Sequence, residues 1–334
     1  MIRSSVVFII IFCCLMLTAC STQQVIRLAE ITQTPTMVPT AVPSLTPTAT
    51  PQPFRVIGYV TTSMIIEQIP FTQLTHINFA FLTPNSDGTF APLYNTWKIK
   101  SLTTQSHQHG VKVLISIGGW GWDDQFEQIA ADPQKRAVFI REALGVVTAF
   151  DFDGIDIDWE YPDPGQSAQN YALLIQELRE AFPDKLLTTA VIASGDETGL
   201  GIPSATFALF DFINVMSYDE PGHASLDQFE TSLNYWLDRG VPKEKLVLGI
   251  PFYTRPGEVS FKKLVENNPE AAHTNEFLFN GQQERYNSLE TVEKKTTLAL
   301  DKASGVMFWN LEQDAPGDLS LLNAVHKTIT LHTP

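Results

Sequence analysis

Asp153-Gly154-Ile155-Asp156-Ile157-Asp158-Trp159-Glu160 is the stretch of this 334-residue chain that says most about its fold. Side chains two residues apart in a strand point to the same side, so Asp156, Asp158 and Glu160 share one face of a predicted strand. The apolar residues between them face the other way, toward covering helices. This pattern predicts a strand in the wall of a barrel, with the acids projecting into the interior.

Short apolar runs alternate with amphipathic stretches over the whole of residues 54–334. Most of the runs are rich in Val, Ile and Phe without polar alternation, which is typical of strands buried on both faces. The candidate strands are Arg55–Val60, His76–Leu82, Val111–Ile117, Gly154–Trp159, Leu186–Ile192, Phe212–Ser217, Leu246–Phe252 and Gly305–Trp309. The helix candidates include Pro133–Phe150, Ser167–Phe182, Leu226–Arg239 and Leu289–Lys302. The alternation predicts an α/β fold, a (β/α)8 TIM barrel formed by residues 54–334.

A doubly wound open sheet is the competing fold. It favours a glycine fingerprint after the first strand, and Gly58-Tyr59-Val60-Thr61 does not provide one. In a barrel, the residues that carry chemistry lie at the C-terminal ends of the strands. The polar residues at those ends are therefore the candidates for a functional site.

The N-terminal segment has a different character from the barrel. Arg3 precedes the uncharged run Val6–Ala19, which is short for a membrane span and has the proportions of a signal-peptide core. Leu17-Thr18-Ala19-Cys20 resembles a bacterial lipobox, in which cleavage precedes the cysteine and the thiol carries a diacylglycerol. Residues 1–19 are therefore predicted to be a lipoprotein signal peptide and Cys20 the lipidated residue. An ordinary secretory peptide with an incidental Cys20 is the alternative.

Residues 20–53 are predicted to be a tether that follows the lipidated cysteine. Prolines recur every fourth residue from Pro35 to Pro51, and threonine fills much of the space between them. Proline fixes φ and removes a donor, so an extended polyproline-like linker is expected. The predicted location is outside the cell, anchored to the bacterial envelope; free secretion is the alternative.

Composition excludes some classes of function. The chain is 44% apolar, enough for a large core, and its 37 acidic and 22 basic residues give a formal charge of −15, which argues against a nucleic-acid partner. All three cysteines, Cys13, Cys14 and Cys20, precede the linker, so the barrel can hold neither a disulfide nor a thiolate metal site. A monomer without a cofactor or metal is expected.

The three acids of the octet cannot all be ionised in a dry interior. They must share protons, hydrogen-bond to one another or bind a cation. A divalent metal site is one interpretation, although no histidine accompanies the acids. An acidic surface turn is a second, and acid catalysis on a glycosidic bond is a third, because close carboxyls keep one of them protonated near neutral pH.

The octet resembles the DxxDxDxE signature of glycoside hydrolase family 18, the chitinase family. The resemblance extends from about residue 54 to about residue 330 and includes motifs at four further strands. These are Ser116-Ile117-Gly118-Gly119-Trp120, Asn214-Val215-Met216-Ser217-Tyr218-Asp219, Gly249-Ile250-Pro251-Phe252-Tyr253-Thr254-Arg255 and Gly305-Val306-Met307-Phe308-Trp309-Asn310.

The resemblance implies a catalytic set. Glu160 is the acid that protonates the leaving oxygen, and the 2-acetamido oxygen of the substrate attacks C1 in place of an enzyme nucleophile, with net retention. Asp158 turns toward Glu160 or the acetamido N–H, and Asp156 shares a proton with Asp158 from deeper in the barrel. Tyr218 donates its hydroxyl to the acetamido group.

The resemblance also implies sugar-binding residues, namely Trp309, Met216, Asp219, Arg255, Tyr253, Trp120 and Tyr59. Structural support is expected from Asp153, Ser116, Gly118 and Gly119. Trp309 forms the floor beneath the sugar and Trp120 stacks on the leaving-group side, since aromatic rings suit the C–H faces of sugars. A core tryptophan and an exposed Asp219–Arg255 pair are the ordinary alternatives. His223 is expected to be incidental.

Many family members carry an α+β insertion between the seventh and eighth strands. Here only Tyr253–Ser304 separates those strands, and Leu289–Lys302 is needed for a barrel helix, so a full-size insertion does not fit. A shallow, open groove and endo-cleavage are therefore predicted.

The predicted function is retaining hydrolysis of β-1,4-linked N-acetylglucosamine polymers, chitin or its oligomers. Endo-β-N-acetylglucosaminidase action on N-glycan cores and cleavage of peptidoglycan fragments are alternatives. A non-catalytic lectin-like binder is the alternative of another class. The predicted partners are the saccharide and, through the lipid, a membrane.

Overall fold

The computed structural model describes residues 53–219 and 221–332. Eight parallel strands close into a barrel, which confirms the predicted fold and excludes the open sheet. The strands are β1 (Arg55–Val60), β2 (His76–Leu82), β3 (Lys112–Gly118), β4 (Gly154–Asp158), β5 (Leu186–Ile192), β6 (Phe212–Met216), β7 (Leu246–Pro251) and β10 (Gly305–Trp309). The predicted signal peptide, lipidation site and all but the end of the linker lie outside the described residues.

Helices cover the outside of the barrel. They are α1 (Thr96–Gln108), α2 (Asp123–Ala131), α3 (Pro133–Phe150), α4 (Gln166–Ala181), α5 (Asp196–Gly199), α6 (Leu226–Asp238), α7 (Phe261–Asn267), α8 (Leu289–Lys302) and α9 (Leu321–His332). Three of the four predicted helices begin where expected because a capping side chain precedes each. Asp132, Ser225 and Ser288 accept hydrogen bonds from the first-turn amides of α3, α6 and α8.

The alternation of side chains along the strands divides the apolar residues between two cores. The larger core lies between strands and helices, where Trp159 stacks on Phe126 of α2 with ring centroids 5.1 Å apart. A smaller cluster fills the barrel interior and includes Tyr59, Met216 and Tyr218. The residues between the acids of β4 thus face the helices, as predicted, and the acids face the interior cluster.

Register brings the polar positions of neighbouring strands together. Asp156 of β4 lies beside Ser116 of β3 and Thr188 of β5. One step further toward the mouth, Gly118 lies beside Asp158 with a φ of +113°. A Cβ atom at Gly118 would lie 2.2 Å from the Asp158 carbonyl oxygen, so this close approach requires glycine.

The segment between β7 and β10 is small. Its described residues 252–304 contain α7, a two-stranded hairpin of β8 (Glu276–Phe279) and β9 (Gln282–Arg285), and α8. This agrees with the prediction that no full-size α+β insertion is present. Arg285 exchanges both backbone hydrogen bonds with Arg255, at 3.0 and 2.8 Å, so the hairpin supports the loop after β7.

In the part of the chain that the structure describes, no helix combines the length and the apolar character needed to cross a bilayer.

Candidate active site

Asp156 is held at the centre of the barrel by four side chains from four strands. Its Oδ2 accepts hydrogen bonds from Tyr59 Oη and Ser116 Oγ, both at 2.8 Å. Its Oδ1 accepts from Thr188 Oγ1 at 2.6 Å and from Asn214 Nδ2 at 3.1 Å. Four donors fill the acceptor positions of a carboxylate. Burial raises the pKa of Asp156, and these donors oppose the rise.

Asp158 lies nearer the mouth and is also buried. Its Oδ1 is inaccessible to water and has no hydrogen-bond partner. Burial raises the pKa of Asp158 well above its ordinary value, and the neighbouring Glu160 and Asp156 add to the effect. None of the four hydrogen bonds of Asp156 is made to Asp158, because its acceptor positions are already filled. Proton sharing between the two stays a prediction for the occupied site.

Glu160 follows β4 and reaches the cleft as a partly exposed carboxyl. Burial raises its pKa to about 7; a hydrogen bond from Tyr161 opposes the rise, and the negative charge of Asp219 adds to it. A carboxyl with this pKa carries a proton in a large share of molecules at neutral pH, which is the condition for a general acid. The three acids of the octet thus lie in one row that ends on a protonated carboxyl at the mouth.

Asp153 lies at the opposite end of β4 from the cleft. It accepts hydrogen bonds from the Val113 amide, His107 Nε2 and Lys112 Nζ, each at 2.8 Å. Burial opposes ionisation, but these donors keep the pKa of Asp153 below its usual value. The position agrees with the structural role predicted for it.

Trp309 ends β10 and forms one wall of the cleft. Its ring is stacked on Phe81, with centroids 5.4 Å apart and an interplanar angle of 20°. Tyr59 meets it edge-on at 5.7 Å. Tyr59 itself is buried and its hydroxyl is bonded to Asp156, so its place is among the residues that support the acid row rather than among the predicted sugar ligands.

Tyr218 follows β6 and lies in the barrel interior. Its hydroxyl is 3.9 Å from Met307 Sδ, and its ring meets that of Tyr253 edge-on at 6.2 Å. A Cβ atom at Gly249 would lie 2.6 Å from the Tyr218 ring, so glycine in β7 makes room for the tyrosine. Met216 lines the cleft beside it.

Asp219 is the centre of a polar cluster on the rim. Its Oδ1 accepts hydrogen bonds from Tyr253 Oη at 2.6 Å and from Arg255 Nε at 2.8 Å. Burial opposes ionisation, but hydrogen bonds from His223, Arg255 and Tyr253 hold the pKa of Asp219 well below its usual range. The guanidinium of Arg255 also bonds Glu258 and lies over the Tyr253 ring. The predicted ion pair is therefore part of a network at the cleft.

These side chains surround a cleft of about 710 Å³ at the C-terminal mouth of the barrel. Trp120, 79% exposed, lies on its rim, and Gly119 packs against Phe81. The cleft-lining residues named above are Tyr59, Phe81, Gly118, Gly119, Trp120, Asp158, Glu160, Tyr161, Met216, Tyr218, Asp219, Tyr253, Arg255, Glu258 and Trp309. A protonated carboxyl beside a flat aromatic wall can deliver a proton to a bond of a ring-shaped ligand lying on that wall.

Sequence reasoning missed several residues of the site. Thr188 and Asn214 are polar residues within apolar strands, and that signal could have marked them as partners of the acid row. Tyr161 directly follows the predicted acid. The stacking of Phe81 leaves no trace in the sequence. His223 is not incidental, since its ring bonds both Asp219 and Tyr253.

Within residues 53–219 and 221–332, no group of three or more His, Cys, Asp or Glu side chains is arranged to hold a metal ion.

Comparison with known proteins agrees with this geometry. In Caenorhabditis elegans a protein named "Probable endochitinase" is 37% identical over 228 residues, which cover 54% of this chain and 36% of that protein. "Chitinase A1" of Niallia circulans is 30% identical over 284 residues, covering 61% of this chain and 41% of the relative. The chain thus spans less than half the length of these curated relatives.

Solved structures resemble the chain over most of its length. A chitinase from Bacteroides thetaiotaomicron gives a TM-score of 0.76 at 28% identity, covering 85% of this chain and 99% of that one. The GH18 chitinase ChiB of Flavobacterium johnsoniae gives 0.73 at 28% identity, covering 83% and 94%. The family model described as "Glycosyl hydrolases family 18" matches residues 55–314. With its closed barrel and its row of acids ending at Glu160, the chain belongs to glycosyl hydrolase family 18.

Proposed function

We propose that the chain is a glycosidase that hydrolyses β-1,4-linked N-acetylglucosamine polymers, chitin or its oligomers, with retention at the anomeric carbon. The observation that carries the proposal is the pair of carboxyls at the mouth, Glu160 with a pKa near 7 and Asp158 with an unpartnered buried oxygen. The third acid is fully hydrogen-bonded below them. The relatives named for chitinase activity support the same substrate class.

In the proposed reaction the sugar lies against Trp309 and Glu160 gives its proton to the leaving oxygen. The acetamido oxygen of the same sugar attacks C1, and Asp158 hydrogen-bonds the acetamido N–H through the oxygen that has no protein partner. Tyr218 donates to the acetamido oxygen. Water then opens the cyclic intermediate as Glu160, now ionised, takes up its proton.

The test is hydrolysis of three substrates by the wild-type protein: N-acetylchitooligosaccharides, a high-mannose glycopeptide and peptidoglycan fragments. Cleavage of the first, with the β-anomer released initially, is expected. Preference for the glycopeptide or peptidoglycan fragments would transfer the proposal to those substrates. Binding without cleavage of any of them would favour a lectin-like protein.

The small hairpin between β7 and α8 leaves the cleft open on that side, so endo-cleavage is part of the proposal. Long chitin chains should give a spread of intermediate products early in the reaction. Release of almost only the disaccharide from the start would contradict this mode.

The pH dependence of kcat/KM should have its alkaline limb near pH 7. The reaction needs Glu160 protonated, and its pKa of about 7 means that the proton is present below this pH and lost above it. kcat/KM is therefore expected to fall about tenfold per pH unit above the limb. Because the charge of Asp219 raises the pKa of Glu160, Asp219→Asn should move the limb to lower pH. An alkaline limb that stays in place in Asp219→Asn would contradict this assignment.

We also propose that the protein is exported and held to the envelope by a lipid on Cys20. The support is the lipobox-like Leu17-Thr18-Ala19-Cys20 and the proline-rich segment that follows it. Cys20→Ser should move the protein from the membrane fraction to the soluble fraction of expressing bacteria. Unchanged partition in that fractionation would contradict the lipid anchor.

A further inference from the structure

Lys295 is a buried lysine that the proposed reaction does not use. It lies on α8 with no exposed surface. Its Nζ donates hydrogen bonds to the Ala224 carbonyl at 2.9 Å and to Asn287 Oδ1 at 2.8 Å, and it lies 5.2 Å from the centre of the Phe229 ring. Both oxygen partners are neutral. Burying an ammonium group among neutral partners is costly, so the position calls for an explanation.

The protonation state of Lys295 fits its surroundings. Burial lowers its pKa to about 7. A neutral amine still carries two N–H groups, which equals the number of oxygen atoms that it contacts. Both hydrogen bonds can therefore be kept on either side of that pH.

The two acceptors belong to segments that carry cleft residues. Ala224 lies in the loop between β6 and α6, the loop that contains Asp219. Asn287 in turn donates from Nδ2 to the Pro251 carbonyl at 3.0 Å, at the end of β7. Tyr253 follows two residues later. Lys295 thus joins α8 to both loops that meet at the Asp219 carboxylate.

His223 joins the same two loops closer to the cleft. Its Nδ1 accepts a hydrogen bond from the Asp219 amide at 3.2 Å, and its Nε2 lies 3.1 Å from the Tyr253 carbonyl. A carbonyl can only accept, so Nε2 carries the proton. Asp219 has a φ of +64°, a conformation that is uncommon outside glycine and that the imidazole helps to hold. The two loops are therefore connected at two levels.

We propose that Lys295 is a positioning residue, which through Ala224 and Asn287 fixes the spacing of the β6–α6 and β7–α7 loops and so places the Asp219 carboxylate opposite Tyr253 and Arg255. Lys295 touches no substrate. What Asp219 then binds rests on the proposed function, whereas the loop spacing is a property of the free protein.

The test compares Lys295→Met with Thr296→Val. Methionine keeps much of the apolar stem and removes the donors. Thr296 is the next residue of α8, is equally buried, and donates its hydroxyl to Val292 within the helix, so it is the matched control. Lys295→Met should increase amide hydrogen exchange in peptides covering residues 219–225 by about tenfold, the effect of losing one buried hydrogen bond. Thr296→Val should leave those peptides unchanged.

Activity supplies the second measurement. On N-acetylchitooligosaccharides, Lys295→Met should raise KM about tenfold and leave kcat within about threefold, because the acid row is untouched. Equal exchange at 219–225 in the two variants would overturn the proposal, as would faster exchange with an unchanged KM. If the wild type cleaves no such substrate, the proposed function fails, while the exchange comparison still decides the role of Lys295.

A variant that does not fold would leave the comparison without its subject, so Lys295→Gln is included. Glutamine carries two N–H donors on a shorter stem and should give a smaller increase in exchange than methionine. An increase at least as large in the glutamine variant would count against the hydrogen bonds as the cause.

Discussion

Replacing Glu160 by glutamine is expected to lower kcat on N-acetylchitooligosaccharides by about a thousandfold, the range typical of losing a general acid. The amide has nearly the same shape as the carboxyl but cannot deliver the proton. KM should stay within about threefold, since the walls formed by Trp309 and the Asp219 cluster are unchanged. Steady-state kinetics, with thermal unfolding as a check of folding, measure both quantities.

The control for this substitution is Glu230→Gln, which changes an exposed glutamate on α6 that faces solvent. It should leave both kcat and KM unchanged. A Glu160→Gln variant that retains full activity would remove Glu160 from the reaction and with it the proposed mechanism. Loss of activity accompanied by unfolding would instead show that the effect is not chemical.

Asp158→Asn should lower kcat by about a hundredfold. Asparagine fills the same space but carries no negative charge to stabilise the cationic intermediate, and effects of this size are usual when one electrostatic partner of a transition state is lost. The measurement is single-turnover hydrolysis, which separates the chemical step from product release. Stability should not fall, because burial already disfavours the ionised form of Asp158.

Ser116→Ala provides the comparison for Asp158→Asn. It removes a hydrogen bond to Asp156 one layer below the cleft and leaves Asp158 in place. Its effect on kcat should be much smaller than that of Asp158→Asn, while its effect on thermal stability should be larger. The opposite order would assign the orienting role to the lower layer.

Much of the fold was predictable because the barrel strands are apolar and the caps are local. β1, β2 and β5 begin and end at the predicted residues, since each apolar run is bounded by polar or turn residues. The octet also identified the acid row, because a spacing of two on a strand fixes which side chains share a face. These are short-range properties that sequence expresses directly.

The remainder depends on contacts between distant segments. The placement of Tyr59 beneath the acid row follows from barrel closure, which brings a β1 side chain next to Asp156 of β4. The part played by His223 depends on a loop conformation that no local pattern dictates. Lys295 was hidden for the same reason, since a lysine on an amphipathic helix ordinarily faces solvent.

The four hydrogen bonds of Asp156 come from β1, β3, β5 and β6, so one carboxylate ties five of the eight barrel strands together. The reacting groups therefore stand on a foundation that is independent of the rim, where Trp120, Asp219 and Arg255 lie on loops. The molecule is modular in this sense: rim loops could be exchanged to change which saccharide is recognised, while the proton-donating machinery beneath them keeps its geometry.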